Sequence, residues 1–472
     1  MGGNGADRRP GLLREAPRFR YLWLSRTISA TGVGASRVAL VLLATPAGPG
    51  AVSLVLLAST LPQLLGPVAG AIADRVDQRR LLAGCETGQG MIFAVIAITR
   101  PAVPLLLPLV AAAGLGATLF SPAGKSSVPR LVPADRLPRA NALIGAAFNL
   151  QILAGPAVGG LLVGLAGPSA AFGATAGSFF ASALLLSRLG PLPPAMAGLA
   201  GAEPTGAEPT GAESSAAEAT GHEAAGHEAA GHEAAGQAAP GGPMAGSLMS
   251  QTWAGLRYVG RSPVPRALVL ATVLFVSFAS MDNVALVFLV ERSLRGSPVE
   301  YGLTVAAYGA GMLGASLALA ILAERRTARF WLTAGFATGT VGTIGTGLAA
   351  SIGLAALAQA VAGAGNTADL VGTDTLIQQV VPRPLLGRVF GAVATAAQAG
   401  AGIAYAAAGP VVALTGPRIT FFIAGAGMLA GLLVLMPALR AASGRAVDRA
   451  APRGADPAAR PGGPAVIRSA RA

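Results

Sequence analysis

Apolar runs about twenty residues long, parted by short charged connections, constrain this chain more than any other feature. Runs fall near 20–45, 52–73, 81–99, 104–124, 138–165 and 168–189, then near 266–290, 302–323, 331–350, 352–373, 387–413 and 417–439. About twenty apolar residues in a helix cross a hydrocarbon core ~30 Å thick. Inside lipid each backbone donor and acceptor must be satisfied within its own segment or a closed barrel, and a barrel would need short alternating strands. The runs here are continuous and rich in Ala, Leu and Gly, so they read as helices. Composition agrees, with 53% hydrophobic and 12% charged residues, against about 25% charged in a soluble domain. The predicted fold is an all-α membrane protein of twelve transmembrane helices, a multi-pass partner of the lipid bilayer.

A net charge of +13 would suit a nucleic-acid partner, but the basic residues sit at the ends of apolar runs and exclude it. Alternate connections separate by charge. One side carries Arg75, Arg79, Arg80, Arg130, Arg136, Arg139, Arg257, Arg261, Arg325, Arg326, Arg329, Arg383 and the Arg-rich tail; the other carries chiefly Arg100, Arg292, Arg295 and Arg418. The positive-inside rule makes the first side cytoplasmic, with both termini on that side of a bacterial cytoplasmic membrane. The bacterial source is inferred from the dominance of Arg, Ala, Gly and Pro over a single lysine, Lys125. The basic segment ahead of the first run reads as a tail rather than a cleavable leader. The only cysteine, Cys85, rules out an intrachain disulfide.

The two sets of six runs echo each other at an offset of about 250 residues. Val38-Ala39-Leu40 matches Val284-Ala285-Leu286, Ala73-Asp74-Arg75 matches Ala323-Glu324-Arg325, and Val132-Pro133 matches Val381-Pro382. A duplicated pair of pseudo-symmetric six-helix bundles follows. The expected organisation is a tail over 1–19, one bundle over 20–189, a linker over 190–250, a second bundle over 251–440 and a tail over 441–472. In the linker Glu recurs every five residues from Glu203 to Glu233 among Gly, Ala and Pro, a composition that cannot bury a core. Its His222, His227 and His232 admit a metal or pH sensor, but repeat expansion in a tolerant loop is the better account. They are the only histidines, so any proton coupling must use carboxylates inside the bundles. No cofactor and no resident metal is expected.

Two motifs carry mechanism. In Gly70-Ala-Ile-Ala-Asp74-Arg75-Val-Asp-Gln-Arg79-Arg80 an apolar run ends on an acid and basic residues follow within one turn. Gly70 permits close approach of a neighbouring helix. In the fifth run, Gly155-Pro156-Ala-Val-Gly159-Gly160 combines a proline that bends a helix and frees a carbonyl with glycines that permit tight contact. The first motif resembles the loop between helices 2 and 3 of the major facilitator superfamily, and the second resembles the motif that marks its antiporters. With Phe19-Arg-Tyr-Leu-Trp23 and Gly387-Arg388-Val-Phe-Gly391, the chain is most similar to the drug:proton antiporter branch that includes macrolide-efflux and enterobactin-exporter proteins. The resemblance implies a monomer of the major facilitator fold that exports amphiphilic small molecules by alternating access as protons enter. It also implies that Asp74 faces the start of span 11 near Pro384 and Arg388, so that Gly70, Asp74, Arg75, Arg79, Arg80, Glu324, Arg325 and Arg388 gate the cytoplasmic side.

Intramembrane ionisable residues are functional candidates because they are costly. Arg37 in span 1 and Asp282-Asn283 in span 7 fall at matching depths, and an Arg37–Asp282 pair bridging the halves is expected. Glu86 in span 3 and Asp369 in span 10 are further coupling candidates, and Asn149, Gln151, Gln398 and Tyr405 are neutral candidates for the cavity wall. Relatives often carry an acid in span 1 where this chain has Val33, which weakens coupling through that span. An importer or uniporter on the same fold therefore stays open, as does a membrane sensor or enzyme, although no nucleophile or metal-ligand spacing supports the enzyme.

Overall fold

The computed structural model describes residues 12–192, 257, 260–322, 325–382 and 385–450. All regular elements among them are helical. Seven helical elements are long and apolar enough to cross a membrane. Two of these are double. The element Leu137–Ser187 is broken at Gly167 (φ 79°), and Leu386–Ala450 at Gly416 (φ 81°). Each break is a Gly-Pro step, where glycine takes the left-handed conformation closed to other residues and proline starts the next helix. The chain thus turns back through the membrane with almost no loop.

We number the spans α1 (Pro17–Ala44), α2 (49–73), α3 (Gln78–Thr99), α4 (Val103–Leu131), α5 (137–166), α6 (168–187), α7 (Pro263–Phe288), α8 (Pro298–Leu322), α9 (Ala328–Leu348), α10 (Ile352–Val380), α11 (386–415) and α12 (417–450). Helix α2 contains a tight turn at Leu61–Leu65, where Pro62 interrupts the α-helical ladder. Helices α9 and α10 have the lower hydropathy expected of Gly- and Thr-rich segments, and packing explains why. A Cβ on Gly342 would lie 2.6 Å from Ala362 Cα, and one on Gly365 would lie 2.6 Å from Gly339 Cα. Small residues here trade apolar bulk for backbone-to-backbone contact, the usual basis of helix association in lipid.

Within the motif loop, Asp77 has a local structural task. Asp77 is the N-cap of α3, and its Oδ1 accepts from Arg80 N at 2.9 Å. Its Oδ2 accepts from Leu192 N at 3.3 Å, and Gln78 N donates to Leu192 O at 3.0 Å. One side chain therefore starts α3 and ties it to the segment after α6. Loss of an N-cap costs about 1 kcal/mol. Asp77→Ala is expected to destabilise the protein by about that amount, read as a lower thermal midpoint in detergent, whereas Asp77→Asn retains most of the cap.

Three apolar cores define the arrangement of the halves. One core lies at the end away from the Arg-rich loops and is shared: Val38–Leu42, Val52, Val55, Phe93, Phe172 and Phe179 from the first half pack with Val284–Val290, Tyr301, Ala404, Val412 and Phe421 from the second. At the Arg-rich end each half has its own core. The first half gathers Phe19, Leu22, Leu82, Val128, Ile144 and Leu186; the second gathers Leu268, Phe275, Leu332, Leu376, Val389 and Leu435. The bundles are joined at one end and parted at the other.

Candidate functional site

Two antiparallel helix pairs hold the halves together. In the pair α5–α8, Gly160 meets Gly302: a Cβ on Gly160 would lie 2.7 Å from Pro298 O and 2.8 Å from Gly302 Cα, and one on Gly302 would lie 2.5 Å from Pro156 O. Further along, a Cβ on Gly309 would lie 2.7 Å from Ile152 O. In the pair α2–α11, a Cβ on Gly409 would lie 2.8 Å from Ser53 Oγ and 2.9 Å from Gly50 Cα, and Gln398 donates to Gln63 near the middle of both helices. Beyond that amide pair the contact ends. Gly70, Gly387 and Gly391 would each meet nothing within 4 Å if given a Cβ.

The span 5 motif therefore has two tasks. Gly155 and Gly159 fit α5 against α1, with the added Cβ atoms 2.6 Å from Gly34 Cα and Ala35 O respectively. Gly160 and the carbonyl of Pro156 face α8 of the other half. Gly409-Pro410 repeats the second task on the opposite flank.

The gating motif is not engaged in this conformation. Asp74 is exposed, and no side chain among Asp74, Arg75, Arg79, Arg80, Arg325 and Arg388 forms an ion pair or hydrogen bond with a described residue. The expected facing of Asp74 and Arg388 is thus not formed, and the close approach expected at Gly70 is absent, because the halves are parted at this end. Glu324, Arg383 and Pro384 lie outside the described residues, as do His222, His227 and His232.

Where the halves begin to part, polar side chains from both meet beneath the shared core. Arg37 Nη2 donates to Tyr405 OH at 3.1 Å and to Asn283 Oδ1 at 3.3 Å, both across the interface. The expected Arg37–Asp282 pair is corrected here. Asp282 turns into its own half, where its Oδ2 accepts from Gln359 Nε2 at 2.8 Å; the same amide donates to Thr346 Oγ1 at 3.3 Å. Successive residues on a helix point about 100° apart, so Asn283 faces Arg37 and Asp282 does not. Asp282 Oδ1 is buried without a hydrogen-bond donor. Tyr301 and Tyr308 of α8 lie within electrostatic range of both Arg37 and Asp282.

The remaining candidates are scattered. Glu86 is buried between α3 and α6 at 1% exposure, with Ser29, Ser182 and Arg26 as polar neighbours and no donor to its Oε2. Asp369 is buried on α10 and its Oδ1 accepts from Thr373 Oγ1 at 3.2 Å, while its backbone lies against Gly335 of α9. The side chains of Asn149 and Gln151 make no hydrogen bond among the described residues, and the Gln151 carbonyl packs on Gly34. Among the described residues no cluster of His, Cys, Asp and Glu suited to a metal ion occurs.

Comparison with known proteins fits this architecture. A family model described as Transmembrane secretion effector matches residues 13–192, and one described as Major Facilitator Superfamily matches 268–469. The chain belongs to the major facilitator superfamily. It is 27% identical over 442 residues to the uncharacterized MFS-type transporter YfiS of Bacillus subtilis (strain 168), covering 90% of this chain and 94% of that protein. It is 34% identical over 150 residues to the multidrug efflux pump Tap of Mycolicibacterium fortuitum, covering 28% of this chain and 35% of the pump. Among solved structures, a bacterial homologue of the human lysosomal transporter Spinster, inward-facing and unoccupied, superposes with a TM-score of 0.61 at 14% identity, over 89% of this chain and 95% of that one. A POT family transporter in complex with 5-aminolevulinic acid gives 0.65 at 13%, over 90% and 96%. These structures share the fold.

A superfamily member with this site is a membrane transporter rather than an enzyme. Several of its interior residues escaped the sequence reading. Arg26 is an intramembrane arginine of α1, stacked 5.3 Å from the Phe120 ring and acting on Glu86. The cost of a buried charge alone would have flagged it. Gln63, Gln359, Tyr301 and Tyr308 are neutral, and nothing local separates them from ordinary packing residues.

Proposed function

We propose that this transporter exports hydrophobic or amphiphilic small molecules across a bacterial cytoplasmic membrane, by alternating access driven by proton entry. The observation that carries the reading is the shared core at one end and the separate cores at the other, with a polar cluster from both halves between them. With the Arg-rich loops cytoplasmic, this conformation opens inward to receive cargo. Reversal would require the shared core to part and the Gly70–Arg80 loop to close on the start of α11. The span 5 motif and the partial similarity to Tap favour efflux. Asp282, with one buried oxygen lacking a donor, is the first candidate for the transported proton, followed by Glu86 and Asp369.

One observation favours a second reading. Val33 packs against the shared core, so span 1 offers no carboxylate at that point, and a uniporter or importer needs none. Proteoliposomes with an imposed pH gradient separate the two. Proton-coupled export predicts accumulation of an amphiphilic dye in inverted vesicles that collapses with the gradient. Equilibration insensitive to the gradient would support the uniporter.

A further inference from the structure

Arg37 has an unusual position for a charge in a membrane. It is exposed, yet its two hydrogen bonds run across the interface between halves, so the surface it is exposed to is the cleft and not lipid. Above it the shared apolar core closes the path, with Val38, Ala39, Val284 and Ala285 all buried. Intramembrane ionisable residues usually pair with one another or with backbone carbonyls. Here both acceptors are neutral, and both are reached through Nη2. The Nε–H and the Nη1 donors have no acceptor among the described residues. The carboxylate next in sequence, Asp282, is held by Gln359 on the far side of α7.

We propose that Arg37 is the recognition site for an anionic head group, so that the cargo class is an amphiphile bearing a carboxylate, sulfonate or phosphate on an apolar body. A guanidinium offers five N–H donors in a planar fork matched to such oxyanions. The two donors now spent on Asn283 and Tyr405 hold the fork at the cleft roof and leave its other donors to the ligand. The apolar body then lies between membrane helices in the part of the cleft open toward the Arg-rich side. Because Asn283 and Tyr405 belong to the opposite half, an anion on Arg37 would also change the contact that bridges the halves.

The inference rests on the transporter reading, and a matched pair of probes keeps the two apart. 8-Anilinonaphthalene-1-sulfonate and N-phenyl-1-naphthylamine share one fluorescent body and differ by the sulfonate. The purified full chain is expected to bind the sulfonate at least tenfold more tightly than the amine. The affinity ratio should fall at least tenfold in Arg37→Gln and recover only in part in Arg37→Lys, which keeps the charge but not the planar fork. Wild-type protein with no preference for the sulfonate, or a ratio unmoved by Arg37→Gln in protein with wild-type thermal unfolding, overturns the proposal. Movement of the neutral amine by proteoliposomes without any sulfonate preference would overturn anion recognition alone; movement of neither probe would count against both readings.

Discussion

Gly160→Val is expected to reduce transport strongly while leaving the chain in the membrane. The added Cβ would lie 2.7 Å from the Pro298 carbonyl and 2.8 Å from Gly302 Cα, both backbone atoms of α8. Backbone cannot swing aside as a side chain tip can, so α5 and α8 must separate. Overpacking of this kind costs about 1–3 kcal/mol, and the cost falls on the conformation in which the halves meet at that end. Since 1.4 kcal/mol is about tenfold, the joined state loses between about five- and a hundredfold of its population. A reporter cysteine at Leu286, buried in the shared core, would show the effect in a chain whose Cys85 is replaced by serine. A membrane-impermeant maleimide should label it from outside in Gly160→Val and not in the parent. Gly302→Val should behave alike, because the two glycines form one contact. Full transport and unchanged labelling in both variants would show that this contact does not carry the closure.

Asp282→Asn is expected to uncouple transport from the proton gradient. The substitution keeps an oxygen for Gln359 to donate to, at a site now spanned at 2.8 Å, but removes the group that can carry a proton. One proton crossing 100 mV supplies about 2.3 kcal/mol, and each pH unit adds about 1.4 kcal/mol. At one pH unit, a single proton per neutral cargo molecule therefore supports roughly several hundredfold accumulation. In inverted vesicles the variant should bring the accumulation ratio close to one while exchange of cargo continues. Undiminished accumulation with the parent's pH dependence would remove Asp282 from coupling. The same measurement on Glu86→Gln and Asp369→Asn then identifies which buried carboxylate takes its place.

Membrane placement, helical class and duplicated halves were legible because they depend on local quantities. The length of an apolar run and its flanking arginines each act over one span. The first motif was legible as a pattern, yet its engagement was not, because engagement depends on how the halves sit at that end, and in this conformation Asp74 is exposed and unpaired with Arg388. Asp77 had no task of its own in that pattern, and the fold makes it a helix cap. Among the cavity candidates, Arg37, Asn283 and Tyr405 meet, whereas Asn149 and Gln151 find no side-chain partner among the described residues.

The sequence alone determined where each residue falls along its span, since position along a helix advances 1.5 Å per residue. It did not determine which way each residue faces. Asp282 and Asn283 share a depth and differ by about 100° of helix rotation, and that angle decides which one meets Arg37. Azimuth is set by how glycine-notched helices seat against one another. Only the tertiary structure, with Gly160 against Gly302 and Gly409 against Ser53, decided which faces line the cleft and which end of it stands open.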